Sequence, residues 1–108
     1  MNLFKETVEV LEKNGKTMSD VVAIQCHDFR IEVENFIEVA KKTNYNNDYG
    51  CQNVACDLVI IGDGWWMERS EYDGAEWWSF KKSPTILNNV KQVKELAGYG
   101  YCPLGKWQ

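Results

Sequence analysis

The sequence is poor in the residues that enzymes and metal sites most often use. It contains a single histidine, and only two of its 12 basic residues are arginine. It has no P-loop, no Gly-x-Gly-x-x-Gly motif after a predicted strand and no His-x-x-x-His pattern. We therefore expect a non-enzymatic protein without a cofactor. A small metal-binding protein or a carboxylate enzyme is the weaker alternative.

Positive charge and long apolar runs are also scarce. The formal net charge is −4, which argues against the broad basic face of a nucleic-acid-binding protein. No apolar run approaches the roughly 20 residues that span a bilayer. The first 16 residues, MNLFKETVEVLEKNGK, are charged throughout and lack the apolar core of a signal peptide. We expect a cytoplasmic protein that binds neither membranes nor nucleic acid directly.

The four cysteines are open to two interpretations. In a cytoplasmic protein, Cys26, Cys51, Cys56 and Cys102 are expected to be free thiols, most simply small buried side chains. A zinc site would use Cys51 and Cys56 as a pair, completed by Cys102 and by Cys26 or His27. Because this spacing is loose, we favour free thiols and assign no metal ligand.

Periodicity predicts an α+β fold in one domain spanning residues 1–108. Apolar residues at helical spacing predict helices over Asn2 to Asn14 and Glu32 to Thr43, and a third from Pro84 to Gly98. Short apolar segments predict a hairpin at about 21–31 and a three-stranded antiparallel meander at about 57–80, whose first strand, DLVII, is buried on both faces. The expected fold is a small antiparallel sheet packed with about three helices.

The dipeptide Asp73-Gly74 predicts a two-residue turn that fixes the register of the last two strands. Because side chains alternate along a strand, the two rings of each Trp-Trp pair then lie on opposite faces of the sheet. One face is predicted core, with Arg69 stacked on Trp78; its members are Trp65, Met67, Arg69, Trp78 and Phe80. The other face is mixed and holds Trp66, Glu68, Ser70, Tyr72, Trp77 and Ser79. Either a helix covers this mixed face as a second core, or it is an exposed contact site.

Charge and aromatic residues cluster near this hairpin. Between 63 and 76 there are five acids (Asp63, Glu68, Glu71, Asp73 and Glu76) against Arg69 alone, whereas 81–94 holds four lysines and no acid. These acids could dock on a basic surface or simply be solvated. The polar loop from Asn44 to Asn53 adds Tyr45 and Tyr49, which either bind a ligand or cap the edge of the core.

One block of the sequence resembles a family of small proteins from bacteriophages and prophages of Firmicutes. The block is DYGCQNVACDLVIIGDGWWMERSEYDGAEWWSFKKSP, about a third of the chain. The shared positions are Tyr49-Gly50, Asp57-Leu58, Gly62, Trp65-Trp66, Glu68-Arg69, Glu71-Tyr72-Asp73-Gly74, Glu76-Trp77-Trp78, Phe80-Lys81 and Pro84. The family has no assigned activity, so the resemblance implies a phage or mobile-element protein acting in a host cytoplasm.

Two functional hypotheses follow. In the first, the protein inhibits a host defence factor with a basic nucleic-acid groove, as an anti-CRISPR protein would, and could also form a homodimer. Its interaction residues would be Trp66, Glu68, Glu71, Tyr72, Asp73, Glu76 and Trp77. In the second, the chain sequesters a small molecule such as a nucleotide by stacking its base on aromatic rings, with Arg69 or Lys81 near a phosphate. The candidate ligand-binding residues are Tyr45, Tyr49, Trp66, Arg69 and Trp77.

Overall fold

A computed structural model describes residues 1–46 and 51–107 and has an α+β fold. Within these residues, two α-helices, α1 (Leu3–Lys13) and α2 (Val33–Lys41), accompany five strands. The strands are β1 (Val21–Gln25), β2 (Arg30–Ile31), β3 (Val59–Gly62), β4 (Trp65–Tyr72) and β5 (Ala75–Lys82). Two short 3-10 helices span Met18–Asp20 and Leu104–Lys106.

All five strands belong to one antiparallel sheet with the order β2-β1-β3-β4-β5. The predicted hairpin and the predicted meander both form, and they join because β1 pairs with β3, with Ile24 opposite Ile60. Both side chains are fully buried on the same face of the sheet. The match of apolar residues between these two distant segments therefore sets the register of the join.

The two helices cover that same face. Helix α1 contacts β5, helix α2 contacts β1, and the helices contact each other. The hydroxyl of Thr7 on α1 accepts a hydrogen bond of 2.9 Å from the indole N–H of Trp78 on β5. The core between helices and sheet includes Leu3, Leu11, Ile24, Phe36, Ala40, Ile60, Met67 and Trp78.

A close approach at Gly62 positions the first tryptophan of β4. Gly62 lies opposite Trp65 across β3 and β4, and a Cβ atom at Gly62 would lie only 1.9 Å from Cε2 of that indole. The ring fills the space that a side chain would need, and it stacks on Phe80 at a centroid distance of 5.3 Å. Glycine is therefore required here for packing, whatever its backbone conformation.

The prediction of a third helix after Pro84 is wrong. Residues 83–103, all of which the structure describes, contain no α-helix, and 84–101 are exposed throughout. The helical stripe is present in the sequence, yet Ile86, Leu87 and Val90 are 90%, 77% and 88% exposed. Helices of this length depend on packing an apolar face against the rest of the protein. This stripe contacts no core, and its β-branched and asparagine residues favour helix weakly.

The prediction that the DLVII strand is buried on both faces is also wrong. On β3, Ile60 is buried among the helices, whereas its neighbours Val59 and Ile61 are only partly buried on the opposite face. Both helices lie on one side, so within residues 1–46 and 51–107 no helix covers the other side of the sheet.

Candidate interaction surface

The hairpin that carries the four central tryptophans closes through a two-residue turn. Asp73 and Gly74 both have positive φ, 51° and 88°, as the central residues of a type I′ turn require. The predicted register is confirmed: Tyr72 lies opposite Ala75, and Arg69 lies opposite Trp78. Each Trp-Trp pair therefore sends one ring into the core and one to the opposite face.

We call the side of the sheet without helices the open face. It presents three aromatic residues from the hairpin: Tyr72 is 76% exposed, Trp77 is 42% exposed and Trp66 is partly buried. Among residues 1–46 and 51–107, no helix covers these rings. The mixed face of the hairpin is therefore exposed and is not covered by a helix as a second core.

A small polar network positions Trp66 on the open face. Its indole N–H donates to Oε2 of Glu68 at 3.2 Å, and the amine of Lys81 donates to Oε1 of the same carboxylate at 2.6 Å. The hydrogen bond from Lys81, followed by that from Trp66, lowers the pKa of Glu68 below its ordinary value. Glu68 is thus ionised at neutral pH and already has partners within the chain.

A shallow groove of about 370 Å³ begins beside Trp66. Its lining is largely apolar, including Val59, Ile61 and Trp66, and Glu68 and Ser83 add polar groups. A largely apolar lining with a few polar groups is typical of a contact surface for a ring or an apolar side chain.

The acids that cluster in the sequence between 63 and 76 do not cluster in space. Asp63 lies in the β3–β4 turn and Asp73 in the β4–β5 turn, at opposite ends of an eight-residue strand that is roughly 26 Å long. Glu68 is paired with Lys81, and Glu76 is 1% exposed. Of the five acids, only Glu71 and Asp73 form an exposed acidic end beside Tyr72.

A buried ionic cluster lies on the opposite face of the same hairpin. Arg69 donates to Oε1 of Glu76 at 2.7 Å and to Oε2 of Glu6 on α1 at 3.1 Å. Its guanidinium also lies over the rings of Trp78 and Tyr45, at 4.9 and 5.7 Å from their centroids. The predicted stacking of Arg69 on Trp78 is confirmed.

The same cluster fixes the segment that leads into β3. The carboxylate of Glu76 accepts hydrogen bonds from the backbone N–H groups of Asn53 and Val54, at 2.6 and 3.1 Å. Burial by itself would raise the pKa of Glu76. The backbone bonds from Asn53 and Val54, together with Arg69, outweigh burial and lower that pKa below its ordinary value. Glu76 is therefore held as a buried anion that ties β5 to the preceding loop.

Tyr45 completes the cluster. Its hydroxyl donates to Oε1 of Glu6 at 2.6 Å and accepts from Arg69 at 3.3 Å. Burial, and then the hydrogen bond to Glu6, raises the pKa of Tyr45 to about 12. The interpretation in which Tyr45 caps the core edge therefore applies, since its ring is only 8% exposed.

Three candidate site residues are therefore buried and do not belong to the exposed surface. Glu76 cannot contact a partner, and neither Arg69 nor Tyr45 can reach a ligand, because all three are engaged inside the ionic cluster. Tyr49, the other tyrosine of that loop, lies outside the described residues. Trp66, Glu68, Glu71, Tyr72, Asp73 and Trp77 remain on the open face or at its acidic end.

Glu6 is the member of the cluster that sequence reasoning missed. Its charge suggests a solvent-facing position on α1, yet it is 6% exposed. The available signal is its spacing: it follows Leu3 by three residues and adjoins Thr7, both of which face the core. A carboxylate within an apolar stripe indicates a buried partner of opposite charge.

The cysteines do not come together. Cys26 and Cys102 are partly buried, whereas Cys51 and Cys56 are exposed, so the expectation of small buried cysteines is wrong for the latter two. Within 1–46 and 51–107, no three His, Cys, Asp or Glu residues are placed to hold a metal ion. In the same part of the chain, no helix is long and apolar enough to cross a membrane.

Comparison of the chain with protein-family models, with curated proteins and with solved structures finds no match. The geometry of the open face is therefore the main basis for assigning a function.

Proposed function

We propose that this chain is a non-enzymatic interaction protein, encoded by a phage or another mobile element, that inhibits a host defence factor in the host cytoplasm. The observation that carries the proposal is the open face, where Tyr72 and Trp77 are exposed on a sheet whose helices all lie on the other side. Exposed aromatic residues are enriched in protein interfaces and often supply most of the binding energy.

The acidic end adds negative charge to one end of this aromatic surface. Glu71 and Asp73 adjoin the exposed ring of Tyr72 at the β4–β5 turn, with no basic side chain paired to either carboxylate among the described residues. Such an end complements the basic groove of a protein that binds nucleic acid. The proposed partner is a defence nuclease of the CRISPR type, whose groove the rings and acids would occupy together.

The resemblance of the block around Trp65 to Trp78 to small phage and prophage proteins supplies the biological setting. A protein encoded by such an element benefits from inhibiting restriction of the element's DNA. An inhibitor of this kind needs a surface that competes for the nuclease groove and no catalytic group of its own.

The proposal is tested by adding the purified chain to RNA-guided nucleases and measuring cleavage of a target DNA. We expect inhibition by the native chain and loss of about tenfold or more in potency for Tyr72→Ala combined with Trp77→Ala. Tyr101→Ala is the matched control for Tyr72, because Tyr101 is an exposed tyrosine (84%) outside the hairpin. Unimpaired cleavage across a panel of such nucleases would argue against this class of partner.

Charge is tested separately from the rings. Glu71→Gln with Asp73→Asn removes the acidic end, and asparagine tolerates the positive φ at position 73. We expect slower association and a weaker dependence of binding on salt concentration. Lys→Gln substitution at Lys91 is a control that changes charge on an exposed residue far along the chain. Binding with unchanged salt dependence would remove the acidic end from the interface.

The groove beside Trp66 favours one other function, the sequestering of a small molecule with an aromatic ring. Trp66 lines the groove and could stack a nucleobase, whereas Trp77 lies opposite Ser70 and does not line it. Lys81 is linked to the groove through its hydrogen bond to Glu68. Arg69 is no longer a candidate for the phosphate. A thermal-shift screen with nucleotides distinguishes this function, since a ligand present at 100 times its Kd stabilises the folded state by about 2.7 kcal/mol.

A further inference from the structure

Among the described residues, no strand pairs with the outer edge of β5, the last strand of the sheet. Strand β5 is eight residues long and pairs only with β4 in the described part of the chain. In a two-residue hairpin the residues that flank the turn, Tyr72 and Ala75, exchange backbone hydrogen bonds. Alternation then directs the backbone N–H and C=O groups of Trp78, Phe80 and Lys82 away from β4, toward this edge.

The edge has few of the features that prevent pairing with another strand. The β4–β5 register runs without a bulge from Tyr72 to Trp65, and β5 contains no proline. Only Lys81 and Lys82, at its end, are charged residues typical of a protected edge. By contrast, the strand at the other edge, β2, has just two residues.

We propose that residues 77–81 of β5 pair antiparallel with the same residues of a second copy of this chain, about a two-fold axis that passes through Ser79. Two five-stranded sheets would then form one ten-stranded sheet with a continuous open face. This inference rests on the strand edge and does not depend on the proposed inhibitory function.

The register follows from which residues direct backbone groups outward. Pairing requires the outward groups of one copy to meet those of the other, so the axis must pass through a residue such as 78, 79 or 80. An axis at Ser79 puts Trp78 opposite Phe80 and sets Trp77 of each copy opposite Lys81 of the other. The two Trp77–Lys81 pairs place cations beside exposed indole rings. An axis two residues further along would instead place Lys81 opposite Lys81.

Two serines that share a hydrogen bond on the open face supply a matched pair of variants to test the proposed axis. The hydroxyls of Ser70 and Ser79 lie 2.6 Å apart, so Ser79→Lys and Ser70→Lys each lose this bond and add the same charge to the same face. Only Ser79 lies on the proposed axis, where two lysines would face each other. Sedimentation velocity of the full-length chain over a range of concentrations measures association.

We expect the native chain to dimerise reversibly, Ser79→Lys to weaken the dimer about tenfold or more, and Ser70→Lys to leave its Kd nearly unchanged. Near-ultraviolet circular dichroism checks that both variants are folded. A native chain that stays monomeric at high micromolar concentration overturns the proposal, as does an equal effect of the two substitutions.

A mixing experiment tests the register itself. Ser79→Glu also places like charges on the axis and should weaken its own dimer. Mixing Ser79→Lys with Ser79→Glu puts opposite charges face to face, so we expect a heterodimer about as tight as the native dimer or tighter. If the native chain dimerises but the mixture stays monomeric, the axis does not pass through Ser79.

Discussion

Arg69 on β4 and Glu76 on β5 are diagonal neighbours in the hairpin and form a fully buried ion pair. Their charged atoms are 2.7 Å apart, and the two side chains are 0% and 1% exposed. Removing one member of a buried ion pair leaves an uncompensated charge, which costs about 3 to 5 kcal/mol. The pair joins the hairpin to α1 through Glu6 and to the loop before β3 through Asn53. Loss of the pair should therefore destabilise the whole fold.

The chain offers a matched pair of substitutions to test this cost. Glu71 lies directly opposite Glu76 in the hairpin register but is exposed. Denaturant unfolding of Glu76→Gln should show a loss of about 3 kcal/mol or more, whereas Glu71→Gln should change the free energy of unfolding by less than about 0.5 kcal/mol. Equal effects at the two positions would mean that Glu76 is solvated in solution.

Glu76 also predicts part of the acid dependence of stability. Its pKa in the folded state is below the ordinary value of 4.5, so its contribution is present above pH 4.5 and is lost as pH falls through the folded value. Unfolding free energies measured from neutral pH downward should therefore decline less steeply for Glu76→Gln than for the native chain. Parallel curves for the two proteins would contradict a lowered pKa.

Tyr45 predicts the opposite limit of the pH range. Its pKa is raised from 10.0 to about 12, so the neutral hydroxyl stabilises the fold fully below pH 10, and this contribution is lost as pH rises to about 12. Ultraviolet titration of phenolate should show a late step that Tyr45→Phe removes and Tyr72→Phe retains. If Tyr72→Phe removes the late step instead, Tyr45 is not the buried hydroxyl.

Gly62 predicts a packing effect that involves no charge. In Gly62→Ala the new methyl group would overlap the Trp65 indole. Overpacking of this kind typically lowers the free energy of unfolding by about 1 to 3 kcal/mol. Gly105→Ala is the control, because a Cβ at Gly105 meets no atom within 4 Å. Thermal unfolding should separate the two variants, and tryptophan circular dichroism should change only for Gly62→Ala.

Much of the fold could be predicted from the sequence because its strongest signals are local. The Asp73-Gly74 turn fixes the pairing of β4 with β5, and alternation then assigns Trp66 and Trp77 to one face without knowledge of the rest of the chain. The stripes of α1 and α2 are equally local, and their ends lie within one or two residues of the predicted ones.

The errors arise where a local pattern needs a distant partner. The stripe after Pro84 has helical period, but periodicity alone does not show whether a surface exists to cover it. The ionic cluster joins Glu6 to Arg69 across 63 positions, so no local pattern distinguishes buried Glu76 from exposed Glu71. Counting charges along the sequence therefore overstated the acidic surface.

The central claim is that the hairpin presents its outer rings to solvent or to a partner, and acrylamide quenching of tryptophan fluorescence tests it most directly. The emission of Trp77 is obtained by subtracting the spectrum of Trp77→Phe from that of the native chain, and that of Trp78 by the same subtraction with Trp78→Phe. We predict that the Trp77 component is quenched readily, because its side chain is 42% exposed, and that the Trp78 component is protected at 3% exposure. Equal protection of the two components in dilute monomeric protein would contradict the open face and the function proposed for it.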